Sequence, residues 1–195
     1  AEPPCEPGSM RYESRVLALC RLPRDTAVAG YPFPASSTLW FSEQGALAQA
    51  RLGREAPVLG LPLPEGTQLF FRPDGSLRFF WLPRDTRLQG HLVRAQDDGQ
   101  GNRLHPNGAL RAIWLAEDET IDGVPCSSSG SVWRLGWRVI GLGTRRMAWF
   151  HDNGRLQQAM LGRDSVIQGR AMKAGEVVRL DAQGRLEVSP TAFDE

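Results

Sequence analysis

Hydrophobic and polar residues alternate along this chain in short runs that Gly, Pro, Asn and Asp interrupt. The segment 67–77 is typical: an apolar run ending at Phe71 meets Asp74 and Gly75, and the apolar pattern resumes at Leu77. Short alternating runs bounded by turn residues predict β-strands. No stretch keeps the i, i+3, i+4, i+7 spacing of an amphipathic helix before Gly or Pro interrupts it. The pattern therefore predicts an all-β protein.

The same pattern returns with a fixed period. The pentapeptide beginning at Leu22 recurs identically at Leu82, two periods of 30 residues later, and Leu52 begins a diverged copy between them. Two glycine series recur with it. The first, followed two residues later by leucine, is Gly45, Gly75, Gly108, Gly154 and Gly184; the second, preceded two residues earlier by Val, Leu or Ile, is Gly30, Gly60, Gly90, Gly123 and Gly169. Five such copies predict a repeat array, either an antiparallel hairpin meander or a β-solenoid with one repeat per coil.

The two glycine series predict chain reversals. Gly75, Gly108 and Gly154 follow Asp or Asn, and both residues of such pairs tolerate the positive φ of tight turns. Each is expected to close a hairpin whose following leucine, such as Leu77 or Leu110, faces one core. The second series is expected to end a strand and turn the chain.

One acidic residue recurs in every repeat. A ladder of metal ligands would be one interpretation, but one carboxylate per repeat is too sparse for a calcium-binding array. We interpret these residues as turn residues whose carboxylates accept backbone N–H bonds. They are Asp25, Glu55, Asp85, Asp118 and Asp164.

An apolar strand, an Asp or Asn followed by Gly, and a leucine two residues later together resemble the variant MORN repeats of bacterial exported proteins. The resemblance covers roughly residues 15–188. The unit here is longer than is usual for that family, because it adds a second half with the pattern L-x2-[DE]-x2-[VIL]-x-G. The resemblance implies an array of antiparallel hairpins with interaction or scaffolding roles and no shared catalytic residues.

The period is broken by an insertion at about residues 127–147, between Cys126 and Phe150. We divide the chain into a Pro-rich N-terminal tail (1–14), a single β-repeat domain (15–188) and a C-terminal tail (189–195). Because Trp and Arg are common in binding hot spots, the insertion is a candidate binding segment; covering the sheet or its edge is the structural alternative. The candidate binding residues are Trp133, Arg134, Trp137, Arg138, Arg145 and Arg146.

No candidate catalytic, metal or cofactor site emerges from the residue pattern. The three histidines, His91, His105 and His151, do not form a metal-ligand spacing, and the serine run at 127–129 lacks the strand–turn–helix setting of a nucleophile. Spacings typical of phosphate loops, dinucleotide sites and zinc sites are absent. The sequence therefore favours a protein that is not an enzyme and needs no cofactor.

The charge balance, the N-terminal segment and the cysteines indicate which partners and which cellular compartment to expect. With 23 Lys and Arg against 22 Asp and Glu, the chain offers no long-range field for nucleic acid, and no apolar run is long enough to span a membrane. The segment from Ala1 to Gly8 is typical of a mature chain after signal-peptide removal, which predicts a periplasmic or secreted protein. Three cysteines permit one intramolecular disulfide. Cys5 is the expected partner if a disulfide forms, while Cys20 and Cys126 occupy apolar repeat positions, so the pairing stays open.

These observations predict an exported, non-catalytic β-repeat module for binding or scaffolding. Its partner is expected to be another protein or a cell-envelope polymer. Two alternatives from other classes stay open: a β-helix hydrolase acting on polysaccharide through paired acids, and an inhibitor or antitoxin-like protein that masks a partner.

Overall fold

The computed structural model describes residues 3–13, 16–96, 99–128 and 147–187. Within these ranges the chain forms strands and turns and contains no helix, which confirms the all-β prediction. Accordingly, the described ranges hold no helix with the length and apolarity needed to cross a membrane. The chain divides into two compact units, one comprising Ala1–Leu88 and Arg94–Gly108 and the other Gln89–Val93 and Ala109–Glu195.

The first unit contains a meandering sheet whose six strands follow one another in chain order. The strands are β1 (Arg11–Glu13), β2 (Val16–Arg21), β5 (Thr38–Phe41), β6 (Leu47–Arg51), β9 (Gln68–Phe71) and β10 (Leu77–Trp81). Two short hairpins connect β2 to β5 and β6 to β9; they are β3 (Thr26–Val28) with β4 (Tyr31–Phe33), and β7 (Ala56–Val58) with β8 (Leu61–Leu63). The unit also contains β11 (Thr86–Leu88) and β13 (Arg103–Leu104). Neighbouring strands of the sheet are antiparallel, as a meander requires and a parallel solenoid does not.

The second unit repeats this plan. Its sheet strands, again paired in chain order, are β14 (Leu110–Ile113), β17 (Ala148–Phe150), β18 (Leu156–Met160) and β21 (Val177–Arg179). Its shorter strands are β12 (His91–Val93), the hairpin of β15 (Glu119–Ile121) and β16 (Val124–Cys126), and the hairpin of β19 (Ser165–Ile167) and β20 (Arg170–Met172).

The core of the first unit lies between one side of the sheet and the short hairpins. A row of directly opposed side chains, one from each strand from β2 to β10, is 0% exposed: Cys20, Leu39, Ala50, Leu69 and Phe80. The short hairpin β3–β4 covers the same side, where the ring of buried Phe33 lies 6.3 Å from that of Phe71. The leucine that ends each longer strand segment is also buried in both units: Leu22, Leu52, Leu82, Leu115 and Leu161.

The predicted positive φ is confirmed at Gly75, Gly108 and Gly154, with values of 84°, 82° and 80°. The turn itself differs from the two-residue form that the Asp-Gly pair suggested. Gly75 N–H donates to Arg72 O at 2.9 Å, Arg72 N–H donates to Ser76 O at 2.9 Å, and only the glycine has positive φ. The loop therefore has three residues with the glycine in a bulge.

Two-residue turns occur instead at the second glycine series. Each glycine there follows a non-glycine residue whose φ is also positive, between 47° and 52°: Ala29, Leu59, Gln89, Asp122 and Gln168. Two consecutive positive φ values define the type I′ turn, whose twist matches that of a hairpin. The expectation that this series turns the chain is confirmed.

The recurrent acidic residues hold backbone N–H groups, as expected. Four of the five accept a bond from the N–H of the residue ten positions later. The pairs are Asp25 with Ala35 at 2.9 Å, Asp85 with Ala95 at 2.7 Å, Asp118 with Ser128 at 2.7 Å and Asp164 with Ala174 at 2.9 Å. Each carboxylate thus forms a hydrogen bond between the segment that precedes a short hairpin and the segment that follows it.

The leucines after the first glycine series only partly share one environment. Leu47, Leu110 and Leu156 are buried, whereas Leu77 and Leu186 are half-buried. The core position predicted for all five therefore holds fully for three.

The N-terminal segment expected as a tail contributes to the first unit. It contains β1, and Cys5 forms a disulfide with Cys20 across a Cα–Cα distance of 5.4 Å. Cys126 is a free, buried thiol, in keeping with a core position. The disulfide thus uses Cys5, as expected, and its partner is a residue of the central buried row.

Candidate functional site

The six binding residues proposed from the insertion all lie outside the described residues. They are Trp133, Arg134, Trp137, Arg138, Arg145 and Arg146. Their role in binding therefore stays a prediction.

The side of the first-unit sheet opposite the core carries two rows of side chains, which we call the aromatic–amide face. The first row contains Leu19, Trp40, Gln49, Phe70 and Phe79, and the second contains Arg21, Thr38, Arg51, Gln68 and Trp81. All ten are exposed or half-buried. Side chains alternate between the two sides of a strand, so each of these residues neighbours a core residue in sequence and points the opposite way.

Three rings form a ridge on one side of this face. The Phe70 and Phe79 rings stack with their centroids 4.6 Å apart, and the Trp81 ring lies 4.5 Å from Phe70. Gly101 packs against this ridge: a Cβ at this position would lie 2.5 Å from Phe79 Cδ2 and 2.8 Å from Trp81 Cδ1.

A polar strip lies beside the ridge. Gln49 Nε2 donates to Gln68 Oε1 at 2.9 Å, which leaves Gln49 Oε1 and the Gln68 N–H groups available to a ligand. In register, Gln49 lies between Trp40 and Phe70. Gln68 lies in the second row, between Arg51 and Trp81, so the strip is a pair of bonded amides with an aromatic side chain beside each.

Two arginines belong to the face, and they differ in their partners. Arg21 Nε lies 3.6 Å from Glu6 Oε2. Arg51, opposite Thr38 and Gln68, is exposed, and within the described ranges no carboxylate pairs with it. The Arg51 guanidinium is thus the open cation of this surface.

A cavity of about 280 Å³ adjoins the second row. It is lined by Arg51, Gly66, Gln68, Trp81, Leu82, Pro83, Ala95 and Gln96. Pockets for drug-sized ligands have volumes of about 300–1,000 Å³. This cavity therefore has room for one small group of a longer ligand, next to a guanidinium, an amide and an indole.

A second cavity, of about 420 Å³, lies between the hairpins β3–β4 and β7–β8. Its lining contains three charged residues, of which Asp25 and Arg54 form an ion pair with each other and Glu55 is the third. The N–H of Ala35 and the Arg54 guanidinium lower the pKa of Asp25, which is already bonded to both. Because its one cation, Arg54, is already paired with Asp25, this cavity is a weaker candidate.

The described residues offer little reactive chemistry. They contain no group of three or more His, Cys, Asp or Glu side chains that could hold a metal ion. His91 Nδ1 lies 2.9 Å from Glu119 Oε1, and the His91 ring packs 5.0 Å from that of Phe150. Burial raises the pKa of Cys126 to about 12, so this thiol stays protonated at neutral pH and is a poor nucleophile.

The described part of the second unit does not present an equivalent surface. The positions corresponding to the first row include Ala112 and Gln158, on either side of Trp149, and they are only 0% and 3% exposed. The Gln158 amide is further engaged by Arg179, whose Nε donates to Gln158 Oε1 at 3.2 Å. The aromatic–amide face is therefore a feature of the first unit and not of the repeat in general.

One sequence signal could have indicated this face. The position five residues before each first-series glycine holds an aromatic residue or an arginine: Trp40, Phe70, Arg103, Trp149 and Arg179.

Comparison of the chain with protein-family models, with curated proteins and with solved structures found no match.

Proposed function

We propose that the chain is an exported, non-catalytic β-repeat module for binding or scaffolding, and that the aromatic–amide face is its binding surface. The observation that carries the proposal is the asymmetry of the first-unit sheet. One side is a closed core, whereas the other carries the exposed Arg51 among four half-buried aromatic residues, Trp40, Phe70, Phe79 and Trp81. A sheet side that faces only water is ordinarily polar.

The composition of the face favours recognition over packing. Trp and Arg are enriched among the residues that dominate binding energy, and grouped apolar side chains at a surface mark interaction sites. The face also keeps donors and acceptors available on Gln49, Gln68 and Arg51. A surface that served only to cover the core would not need this mixture.

Export is supported by the disulfide between Cys5 and Cys20. Disulfides persist in oxidising compartments and are rare in the cytosol. The resemblance to variant MORN repeats points in the same direction and supports an interaction role.

The experiment that tests this function compares two double variants of the full chain, immobilised for affinity capture. Trp40→Ser with Arg51→Ser alters the face, and Arg163→Ser with Val166→Ser is the control, since both control residues are exposed on the short-hairpin side of the second unit. Protein and polysaccharide fractions of a bacterial cell envelope are applied separately.

We expect the face variant to lose retention while the control variant keeps it, with both melting within a few degrees of wild type. Equal retention by the face variant and wild type would contradict the proposal. Shortening of a retained polysaccharide during incubation would instead indicate the hydrolase alternative.

A further inference from the structure

We infer that the ligand of the aromatic–amide face is an acidic polysaccharide whose carboxylate binds Arg51 and whose sugar rings contact Trp40 and Phe70. This inference rests on the proposed function, because it names the ligand of that surface.

The face carries positive charge and no negative charge, which favours an anionic ligand. Its ten positions include two arginines and neither Asp nor Glu. Arg21 is beside Glu6, so the one guanidinium open to a ligand is that of Arg51. A guanidinium binds a carboxylate through two parallel hydrogen bonds, which gives direction as well as attraction.

The amide pair matches hydroxyl groups. A sugar hydroxyl both donates and accepts, and the Gln49–Gln68 pair offers an acceptor, Gln49 Oε1, and donors, the N–H groups of Gln68. An apolar partner would leave these amide atoms without hydrogen bonds, and unpaired polar groups are costly once they are covered.

The aromatic spacing matches a sugar ring. Trp40 and Phe70 lie on either side of Gln49, two strand spacings or roughly 10 Å apart at the backbone. The C–H groups of a pyranose ring are apolar and pack on aromatic side chains, while its hydroxyls reach the amides between them. Arg51 lies two residues along the same strand from Gln49, where the carboxylate of the bound sugar or its neighbour would lie.

The size of the face favours a linear chain over a globular protein. Four strand spacings and two residues along a strand give a patch of roughly 19 Å by 7 Å between Cα positions. A stable protein–protein interface uses about 20–30 residues on each partner, and this face has ten. A polysaccharide needs only a narrow strip, with one group in the cavity beside Arg51 and Trp81.

The test is calorimetric titration of the full chain with two matched hexamers, β-1,4-linked mannuronate and β-1,4-linked mannose, which differ in the carboxylate. Hexasaccharides of hyaluronan supply a second acidic probe. We expect at least one acidic oligomer to bind at least tenfold more tightly than the mannose hexamer, with affinity that falls as salt is added.

Two variants locate the binding. Arg51→Gln is expected to remove the preference for the acidic oligomer, and Trp40→Ala to weaken binding of acidic and neutral oligomers alike. Arg24→Gln, at an exposed arginine before the short hairpin β3–β4, is the charge-matched control and is expected to bind as wild type.

Equal affinity for the acidic and neutral hexamers, an unchanged preference in Arg51→Gln, or no binding of either acidic oligomer would overturn the inference. If envelope proteins alone are retained through Trp40 and Arg51, the ligand class is wrong and the proposed function stands. If retention does not depend on these residues, both fail.

Discussion

At the scale of single residues, Gly101 fixes the aromatic ridge by having no side chain. A methyl group there would lie 2.5 Å from Phe79 Cδ2 and 2.7 Å from the backbone oxygen of Phe80, which cannot move freely within the sheet. We expect Gly101→Ala to lower the free energy of unfolding by about 1–3 kcal/mol, as overpacking does. Urea denaturation checks this, and a loss below about 0.5 kcal/mol would show that the ridge is not confined.

Leu77 and Leu110 occupy the same repeat position, but their burial differs. Leu110 is fully buried and Leu77 half-buried. We expect Leu110→Ala to cost about 2–5 kcal/mol, as for truncation in a packed core, and Leu77→Ala to cost clearly less. The comparison is made by chemical denaturation of both variants, and equal costs would contradict the burial difference.

The carboxylates of Asp25 and Asp164 give the fold an acid dependence whose sign is defined. The N–H of Ala35 and then Arg54 lower the pKa of Asp25; Lys173 and the N–H of Ala174 lower that of Asp164. A folded pKa below the ordinary 3.8 adds stability that is fully present above that pH and is lost as the pH falls through the folded value.

We therefore expect Asp25→Asn with Asp164→Asn to lower stability at pH 7 and to flatten its decline in strong acid. Denaturation at pH 7 and at about pH 3 measures both effects. Glu43→Gln, at an exposed loop position, is the control and should leave the acid dependence as in wild type. If the stability of the double variant falls in acid as steeply as that of wild type, these two carboxylates are not the source of the acid dependence.

At the scale of elements, the Cys5–Cys20 disulfide ties the N-terminal segment to β2 over a sequence separation of 15. On the chain-entropy account, a disulfide that closes a loop of this length stabilises the folded state by about 3 kcal/mol. We expect Cys5→Ser with Cys20→Ala to lose about that much, and reductant to have a similar effect on wild type and none on the variant. Wild-type stability that does not respond to reductant would contradict the disulfide.

The two kinds of turn differed in how far the sequence could predict them. Gly75 and its equivalents follow Asp or Asn, residues that commonly precede a left-handed glycine, and their positive φ was predictable. Ala29 and Leu59 rarely adopt positive φ, and the twist of the short hairpins imposes it on them. Their pattern therefore predicted a chain reversal and not a two-residue hairpin.

The aromatic–amide face could not be identified from hydrophobic periodicity. Leu69 and Phe70 point to opposite sides of β9, yet both are apolar, so alternation does not tell which side is the core. Strand register decides this, because it places Phe70 beside Gln49 and Phe79 and places Leu69 beside Ala50. Composition instead predicts the insertion as the binding segment, because its tryptophans and arginines are closer together in sequence.

At the scale of the whole molecule, the repeats build cores in both units, but among the described residues only those of the first unit present an open face of this composition. Repeats stabilise one another through contacts between neighbours, so a change on the open side of a strand can alter binding without removing core contacts. Function would then reside in the residues that differ between repeats, such as Gln49 and Phe79, and not in the recurring leucines and glycines.

The most direct test of binding at the aromatic–amide face is the indole N–H spectrum of the ¹⁵N-labelled chain, titrated with the acidic oligomer that binds. The six tryptophans are Trp40, Trp81, Trp114, Trp133, Trp137 and Trp149, and single Trp→Phe variants assign their signals. The account predicts that Trp40 and Trp81 shift while Trp114 and Trp149 stay in place. Shifts confined to Trp133 and Trp137, or no shift at saturating oligomer, would contradict it, the former by moving the binding site to the insertion.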